Sequence, residues 1–177
     1  MTTLTVLRPD TRTAVAADVA LAARPARRAG LRLTIIDNGK PKARPLMLAI
    51  ADHLRHDLPD LRVAVVSKSS ASWPVGTDEA KEIAAGTDLV LAGLGDCGGC
   101  SANSLADAVA MEALGVAATV VITEPFQGLV ASYAARLGAP GYPCLVLPHP
   151  ISSRTDDELA ALADKATSSA LNLLTQD

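Results

Sequence analysis

Cys97 and Cys100 enclose two glycines in the run Cys97-Gly98-Gly99-Cys100, the spacing of a redox CxxC pair. The run lies between a strand pattern and a helix pattern. A helix N-terminus carries partial positive charge and unpaired N–H groups, so a thiolate placed there is stabilised and becomes a usable nucleophile at neutral pH. Glycines at 93, 95, 98 and 99 let backbone approach a substrate closely. Redox, metal or nucleophile chemistry is what such a pair can do in a reducing compartment.

Three more segments carry chemistry-bearing side chains, each at the end of an apolar run: Asp37-Asn38-Gly39-Lys40, Thr123-Glu124-Pro125-Phe126 and Pro148-His149-Pro150. Glu124 is a candidate general acid or base. His149, held between two prolines, could polarise a carbonyl or move a proton near neutral pH. Lys40 could lower a neighbouring thiol pKa or bind a substrate carboxylate. Asp37 and Asn38 could orient neighbours, although turn formation alone would explain them. Asp96 either orients a neighbour or caps a helix. Gly98, Gly99, Ser101 and Thr123 complete the candidate substrate-binding set with Asp37, Asn38 and Lys40. Cys144 lies in an apolar run and reads as a small buried hydrophobe, while His53 and His56 read as surface residues.

Two other chemistries fit less well. A structural zinc site takes four ligands, and with one CxxC it would have to recruit His149 and Glu124. No cofactor is predicted, but Cys97 and Cys100 could hold a metal. Gly93-Leu94-Gly95 with Gly98 has the form of a dinucleotide fingerprint. It follows the third strand pattern rather than the first, and its acidic partner, Glu124, comes too late.

The elements that position these residues alternate from residue 31 onward. Strands are expected at Leu31–Ile36, Leu61–Val66, Asp88–Ala92, Val116–Ile122 and Cys144–Leu147, on their β-branched and apolar runs. Helices are expected at Pro45–Leu58, Asp78–Ala85, Ser104–Leu114, Gln127–Leu137 and Asp156–Leu173, on their periodicity. Ser104 with Asp107 has the form of a capping box, and Lys68–Thr77 reads as a loop. Strands apolar on both faces imply a parallel sheet covered by helices. The expected fold is a single-domain α/β, doubly wound, mostly parallel sheet of about five strands with helices on both faces, flavodoxin-like or Rossmann-like. Ligands bind such sheets beyond the carboxyl ends of the strands, where the four polar segments would meet. Residues 1–30 read as an N-terminal arm and 31–177 as the α/β domain, with a short strand at Leu4–Leu7 and either a helix or a crossing arm at Ala14–Ala23.

Composition sets the limits. The chain has 177 residues and a net charge of −3, with no electrostatic footprint for nucleic acid. Arg24, Arg27 and Arg28 read as a solvated face. Nothing resembles a signal peptide or a span, so the expectation is a cytoplasmic protein without a membrane partner. Three cysteines are too few for a disulfide framework. Aromatics make up 2% of the chain, so small and branched aliphatics must fill the core.

Taken together, Asp37-Asn38-Gly39-Lys40-Pro41, Gly95-Asp96-Cys97-Gly98-Gly99-Cys100-Ser101, Thr123-Glu124-Pro125-Phe126 and Pro148-His149-Pro150 resemble the UGSC family of (seleno)proteins over about residues 30–155. Cys97 matches the position that is selenocysteine in some members, and Cys100 matches the closing cysteine. Gly99 stands where the family has serine. A looser similarity is to the selenoprotein B subunit of glycine reductase, whose chalcogen accepts a carbon fragment during reductive C–N cleavage. The resemblance implies that the first position is the attacking or redox atom and that the second thiol could resolve it.

The resulting expectation is an enzyme with Cys97 as nucleophile or redox centre on a small polar substrate and Cys100 as resolving thiol. Reductive C–X cleavage is one reaction it could perform. Glu124 and His149 would move protons, and Lys40 with Asn38 would hold an anionic group. A non-redox hydratase, lyase or isomerase and a thiolate metal- or metalloid-binding protein are the alternatives. The expected partners are the substrate, a thiol reductant and, through apolar helix faces, a second copy.

Overall fold

The computed structural model describes residues 17–177. The expected strand at Leu4–Leu7 and the first residues of Ala14–Ala23 lie outside the described residues. Five strands and five α-helices alternate: β1 (Arg32–Asp37), α1 (Ala43–Leu54), β2 (Arg62–Ser67), α2 (Thr77–Gly86), β3 (Leu89–Gly95), α3 (Gly98–Ala113), β4 (Ala117–Thr123), α4 (Gln127–Arg136), β5 (Leu145–Leu147) and α5 (Asp156–Leu174). A single 3₁₀ turn, Glu124–Phe126, joins β4 to α4. Every strand pairing is parallel, in the order β2-β1-β3-β4-β5. This is the flavodoxin-like, doubly wound arrangement the alternation predicts.

Side chains along a strand alternate between faces, and here they divide into two cores. Leu33, Ile35, Leu89, Leu91, Ala117 and Val121 face α1 and α5. Ile36, Val90, Ala92, Ala118, Val120 and Ile122 face α2, α3 and α4. α1 buries Ala43, Leu46, Met47, Ile50, Ala51 and Leu54, the one-sided spacing of an amphipathic helix. β3 and β4 are buried along their whole length. β2 is not: none of its six residues is fully buried, and Val65 is 37% exposed. It lies at the sheet edge.

Three readings are corrected. α3 begins at Gly98 rather than Ser104, with Cys97 as its N-cap. Ser104 and Asp107 are therefore interior, buried helix residues, and the capping box that does form is Thr155 with Glu158 at the start of α5. The arginine cluster is a solvated face only at Arg28, which is exposed. Arg24 forms a two-pronged ion pair with fully buried Glu112. Glu112 further accepts from Ala22 N and Ala118 N. The adjacent Tyr142 hydroxyl donates to Ala118 O, and burial followed by the Glu112 charge holds its pKa well above the ordinary phenol value. Arg27 reaches Asn172 and Asp177. Residues 17–25 are not helical, and an isolated parallel bridge joins Ala26 to Gln176.

Candidate functional site

The four polar segments converge at the carboxyl edge of the sheet because all five strands run the same way. The centre is the gap between β1 and β3, where the order reverses: the chain leaves β1 toward α1 on one face and leaves β3 toward α3 on the other. Such a switch point opens a crevice in doubly wound sheets.

β3 does not enter this crevice as a regular strand. Its register against β4 shifts between Ala92 and Gly95. Leu94 consequently packs with Leu89 and Leu91 in one core, whereas strict alternation would turn it to the opposite face. Irregularities of this kind re-aim the residues that follow, here Asp96 and Cys97. Asn38 holds the irregular segment in place. Its backbone N–H donates to Gly93 O at 2.9 Å, and its side-chain amide donates to Leu94 O at 2.8 Å and Ser104 Oγ at 3.0 Å. With Asn38 3% exposed, these bonds satisfy backbone carbonyls that would otherwise be orphaned in the interior. Gly95 must be glycine for space. An added Cβ would lie 2.8 Å from Ser101 Oγ and 2.9 Å from Ile122 Cγ2.

The two thiols sit in the first turn of α3. Cys97 Sγ accepts the Cys100 backbone N–H at 3.2 Å. The two sulfurs are at disulfide distance, with Cα atoms 5.4 Å apart. Their exposure differs: Cys97 is half-buried and Cys100 is 2% exposed. Ser101, fully buried, donates through both its N–H and its hydroxyl to Cys97 O. It therefore positions the turn.

Asp96 has two partners, His149 and Thr123. Its Oδ1 lies 2.8 Å from His149 Nδ1, with the aspartate side chain 11% and the imidazole 37% exposed. Thr123, fully buried, places Oγ1 at 3.1 Å from the same Nδ1, 3.2 Å from Asp96 Oδ1 and 3.3 Å from Gly95 O. Phe126 meets the imidazole edge-on at 6.0 Å between ring centroids. The ends of β3, β4 and β5 thus share one hydrogen-bonded cluster.

The remaining candidates lie around this centre. Asp37 accepts the Gly39 N–H and pairs with Arg44 at 3.0 Å, so both its oxygens are engaged within the β1–α1 turn. Lys40 is half-buried, and its backbone N–H donates to Asn38 Oδ1. Gly98 and Gly99 form the first turn of α3, with open space beside Gly99. Glu124 is exposed on the rim. Cys144 is half-buried just before β5, and burial pushes its thiol up to about 11. Among the described residues, no group of three or more His, Cys, Asp and Glu is arranged to hold a metal ion. No helix among them is long and apolar enough to cross a membrane.

Sequence reasoning missed the ion pair beneath the β2–α2 loop. Lys68 Nζ lies 2.5 Å from Asp107 Oδ2, the two side chains being 4% and 0% exposed. Asp107 also accepts the Val75 N–H at 2.7 Å, and Asn103 donates to Ala71 O. Desolvation raises the Asp107 pKa, opposed by its hydrogen bond to Lys68 and the Val75 amide. A lysine after a strand and an aspartate 39 residues later in a helix carry no local signal that they meet.

A family model described as the UGSC family matches residues 5–176. A crystal structure of a diflavin flavoprotein A3 from Nostoc sp. is 14% identical. That match covers 84% of this chain and 94% of the other, with a TM-score of 0.43. A solution structure of a diflavin flavoprotein A3 from Nostoc sp. PCC 7120 is 13% identical over 78% and 92% of the two chains, with a TM-score of 0.35. No curated protein matches.

Proposed function

The chain belongs to the UGSC family, and we propose that it is a cysteine-dependent enzyme in which Cys97 attacks an electrophilic centre of a small polar substrate and Cys100 resolves the adduct. The observation that carries this reading is the Asp96–His149 pair, whose aspartate immediately precedes the cysteine that caps α3. With His149 Nδ1–H donated to Asp96, Nε2 is left to take and return protons. This is the way an aspartate fixes the tautomer of a catalytic imidazole. Asp96 thus becomes a positioning residue, and Thr123 supports the pair from the interior.

In its reductive form the reaction proceeds by two displacements, the first at carbon and the second at sulfur. The Cys97 thiolate displaces a leaving group X⁻ from R–X, forming a Cys97–S–R thioether. The Cys100 thiolate attacks the Cys97 sulfur, the S–R bond breaks, and the disulfide forms. R leaves with the bonding pair and takes a proton from His149 Nε2. The substrate gains two electrons, and the two thiols lose them. R must therefore carry a carbonyl or carboxylate next to the reacting carbon, to hold that electron pair. Lys40 stands at the switch point as the cation for such a group, and Glu124 on the rim is the second proton carrier.

The test is alkylation of fully reduced protein with iodoacetamide, an electrophilic carbon beside a carbonyl, followed by peptide mapping across pH. Cys97 is expected to label well below the ordinary thiol pKa of about 8.5. His149→Gln and Asp96→Asn should slow that labelling near neutral pH. Labelling of Cys97 with the profile of a free thiol, unchanged in both variants, refutes the proposal.

A further inference from the structure

We infer that Asn38 is a positioning residue: its buried amide fixes the turn that carries Lys40 against the turn that carries Cys97, and it offers nothing to the substrate itself. The inference rests on the cysteine-dependent reading above, in which Lys40 holds the carboxylate beside the carbon that Cys97 attacks.

An asparagine amide has two N–H donors and one acceptor oxygen. Asn38 uses all of them inside the protein. Nδ2 donates to Leu94 O at 2.8 Å and to Ser104 Oγ at 3.0 Å, and Oδ1 accepts the Lys40 N–H at 3.2 Å. Leu94 O can only accept and the Lys40 N–H can only donate, so the amide has one workable orientation. An anion is held by donors, and buried Asn38 has neither amide proton left for one.

The partners stand on three different elements. Lys40 is in the β1–α1 turn, Leu94 in the irregular end of β3, and Ser104, itself buried, in α3. Leu94 is followed shortly by Asp96, which orients His149, and then by Cys97. Ser104 lies about two turns along α3 from Cys97. β1 pairs with β3 only as far as Asp37 opposite Gly93. Beyond that rung, the Asn38 N–H reaches Gly93 O at 2.9 Å and its side chain takes over the Leu94 carbonyl. Among the described residues, no other side chain of this turn hydrogen-bonds to β3 or α3. Asp37 turns back to Gly39 and Arg44, and Lys42 goes to Asp156 in α5. Without the amide, Leu94 O is left orphaned in the interior, and the local backbone must rearrange to satisfy it. The separation of the Lys40 ammonium from the Cys97 sulfur is then no longer set.

The experiment compares alkylation of Cys97 in the reduced full chain by iodoacetate and by iodoacetamide. Both present the same carbon, one beside a carboxylate and the other beside an amide. Both react with the thiolate, so the ratio of their rates cancels the thiolate fraction at any pH. A role confined to stability would change the two rates together and leave the ratio alone. Relative to glutathione, the wild type is expected to favour iodoacetate by about threefold to fivefold, the effect of one partly exposed ion pair. Lys40→Met should return the ratio to the glutathione value. Asn38→Ala should bring it within about 1.5-fold of that value, and Ser104→Ala, which removes one bond to the amide, should reduce it by about half. The double variant should match Asn38→Ala alone, because Ser104 acts through Asn38. Ser104→Ala places a better helix former in α3, so it carries the test if Asn38→Ala does not fold.

A wild-type ratio in both single variants overturns the inference. So does a fall in Asn38→Ala with no change in Ser104→Ala, which would mean that Asn38 touches the anion itself. A wild-type chain with the glutathione ratio overturns it together with the Lys40 contact. The cysteine-dependent reading is judged separately, by the pH profile of Cys97 with iodoacetamide. If that profile is that of an activated thiol and the ratio does not respond to Asn38 or Ser104, only the positioning role fails.

Discussion

Replacing Lys68 with methionine keeps most of the side-chain length and removes the charge. In the native chain Lys68 and Asp107 are almost fully withdrawn from water and meet at 2.5 Å. Removing one member of a buried pair strands the other, which costs about 3–5 kcal/mol. Asp107 keeps only the Val75 N–H. A domain of this size is stable by about 5–15 kcal/mol, so Lys68→Met removes a large share. At an m-value of about 2 kcal/mol/M, the urea midpoint should fall by about 1.5–2.5 M at pH 7. The loss should depend on pH. Asp107 is already raised by desolvation, and the variant loses the hydrogen bond and charge that oppose the rise. The folded state then binds a proton that the unfolded chain, with a carboxyl near 3.9, has released. Stability therefore falls as pH climbs from about 4 through the folded value, by up to about 1.4 kcal/mol per pH unit. Acidification toward that lower limit should return part of what the mutation removed. Lys68→Met with Asp107→Leu should be less damaging than Lys68→Met alone, because no charge remains buried. The assay is urea unfolding by circular dichroism between about pH 4.5 and 8. A midpoint shift below about 0.5 M, with no dependence on pH, would falsify the reasoning.

Further outcomes follow from other parts of the molecule. Arg24→Ala should destabilise the chain by about 3 kcal/mol, because Glu112 stays buried and unpaired, whereas Arg28→Ala should stay within about 0.5 kcal/mol; thermal unfolding of both variants decides. Gly95→Ala should cost about 1–3 kcal/mol by overpacking against Ser101 and Ile122. It should also displace the turn that carries Cys97, read as altered iodoacetamide reactivity. Gly99→Ser, which restores the residue typical of the family, meets open space and should leave stability within about 0.5 kcal/mol. Cys144, its thiol pushed up to about 11 by burial, should alkylate at about pH 8 some two orders of magnitude more slowly than an ordinary thiol; comparable rates would show that its surroundings are not those described.

How much of this was legible in the residues depends on how local each signal is. The alternation of β-branched runs with helical periodicity, and the turn residues between them, are properties of short segments, so the parallel five-stranded sheet could be read from them. Once the sheet is parallel, the convergence of Asp37–Lys40, Cys97–Cys100, Thr123–Glu124 and Pro148–His149 on one edge follows. Thr155 with Glu158 had a capping-box spacing as clear as that of Ser104 with Asp107, and only the former caps a helix. The spacing was equal, but Gly98 and Gly99 had already started α3 around Cys97. The apolar run of β2 marked it as a strand but not its place in the sheet, and strand order put it at an edge. Asp96 illustrates the limit most sharply. Its position before Cys97 allowed capping or orienting, and the choice was made by the shift in β3 and by β5, whose end brings His149 to 2.8 Å from its carboxylate. Arg24 with Glu112 and Lys68 with Asp107 belong to the same class. Sequence carries the charge, the apolar period and the turn, which act over a few residues. Which buried charge finds a partner tens of residues away is settled only when helices pack onto the sheet, because desolvation makes an unpaired choice too costly to persist.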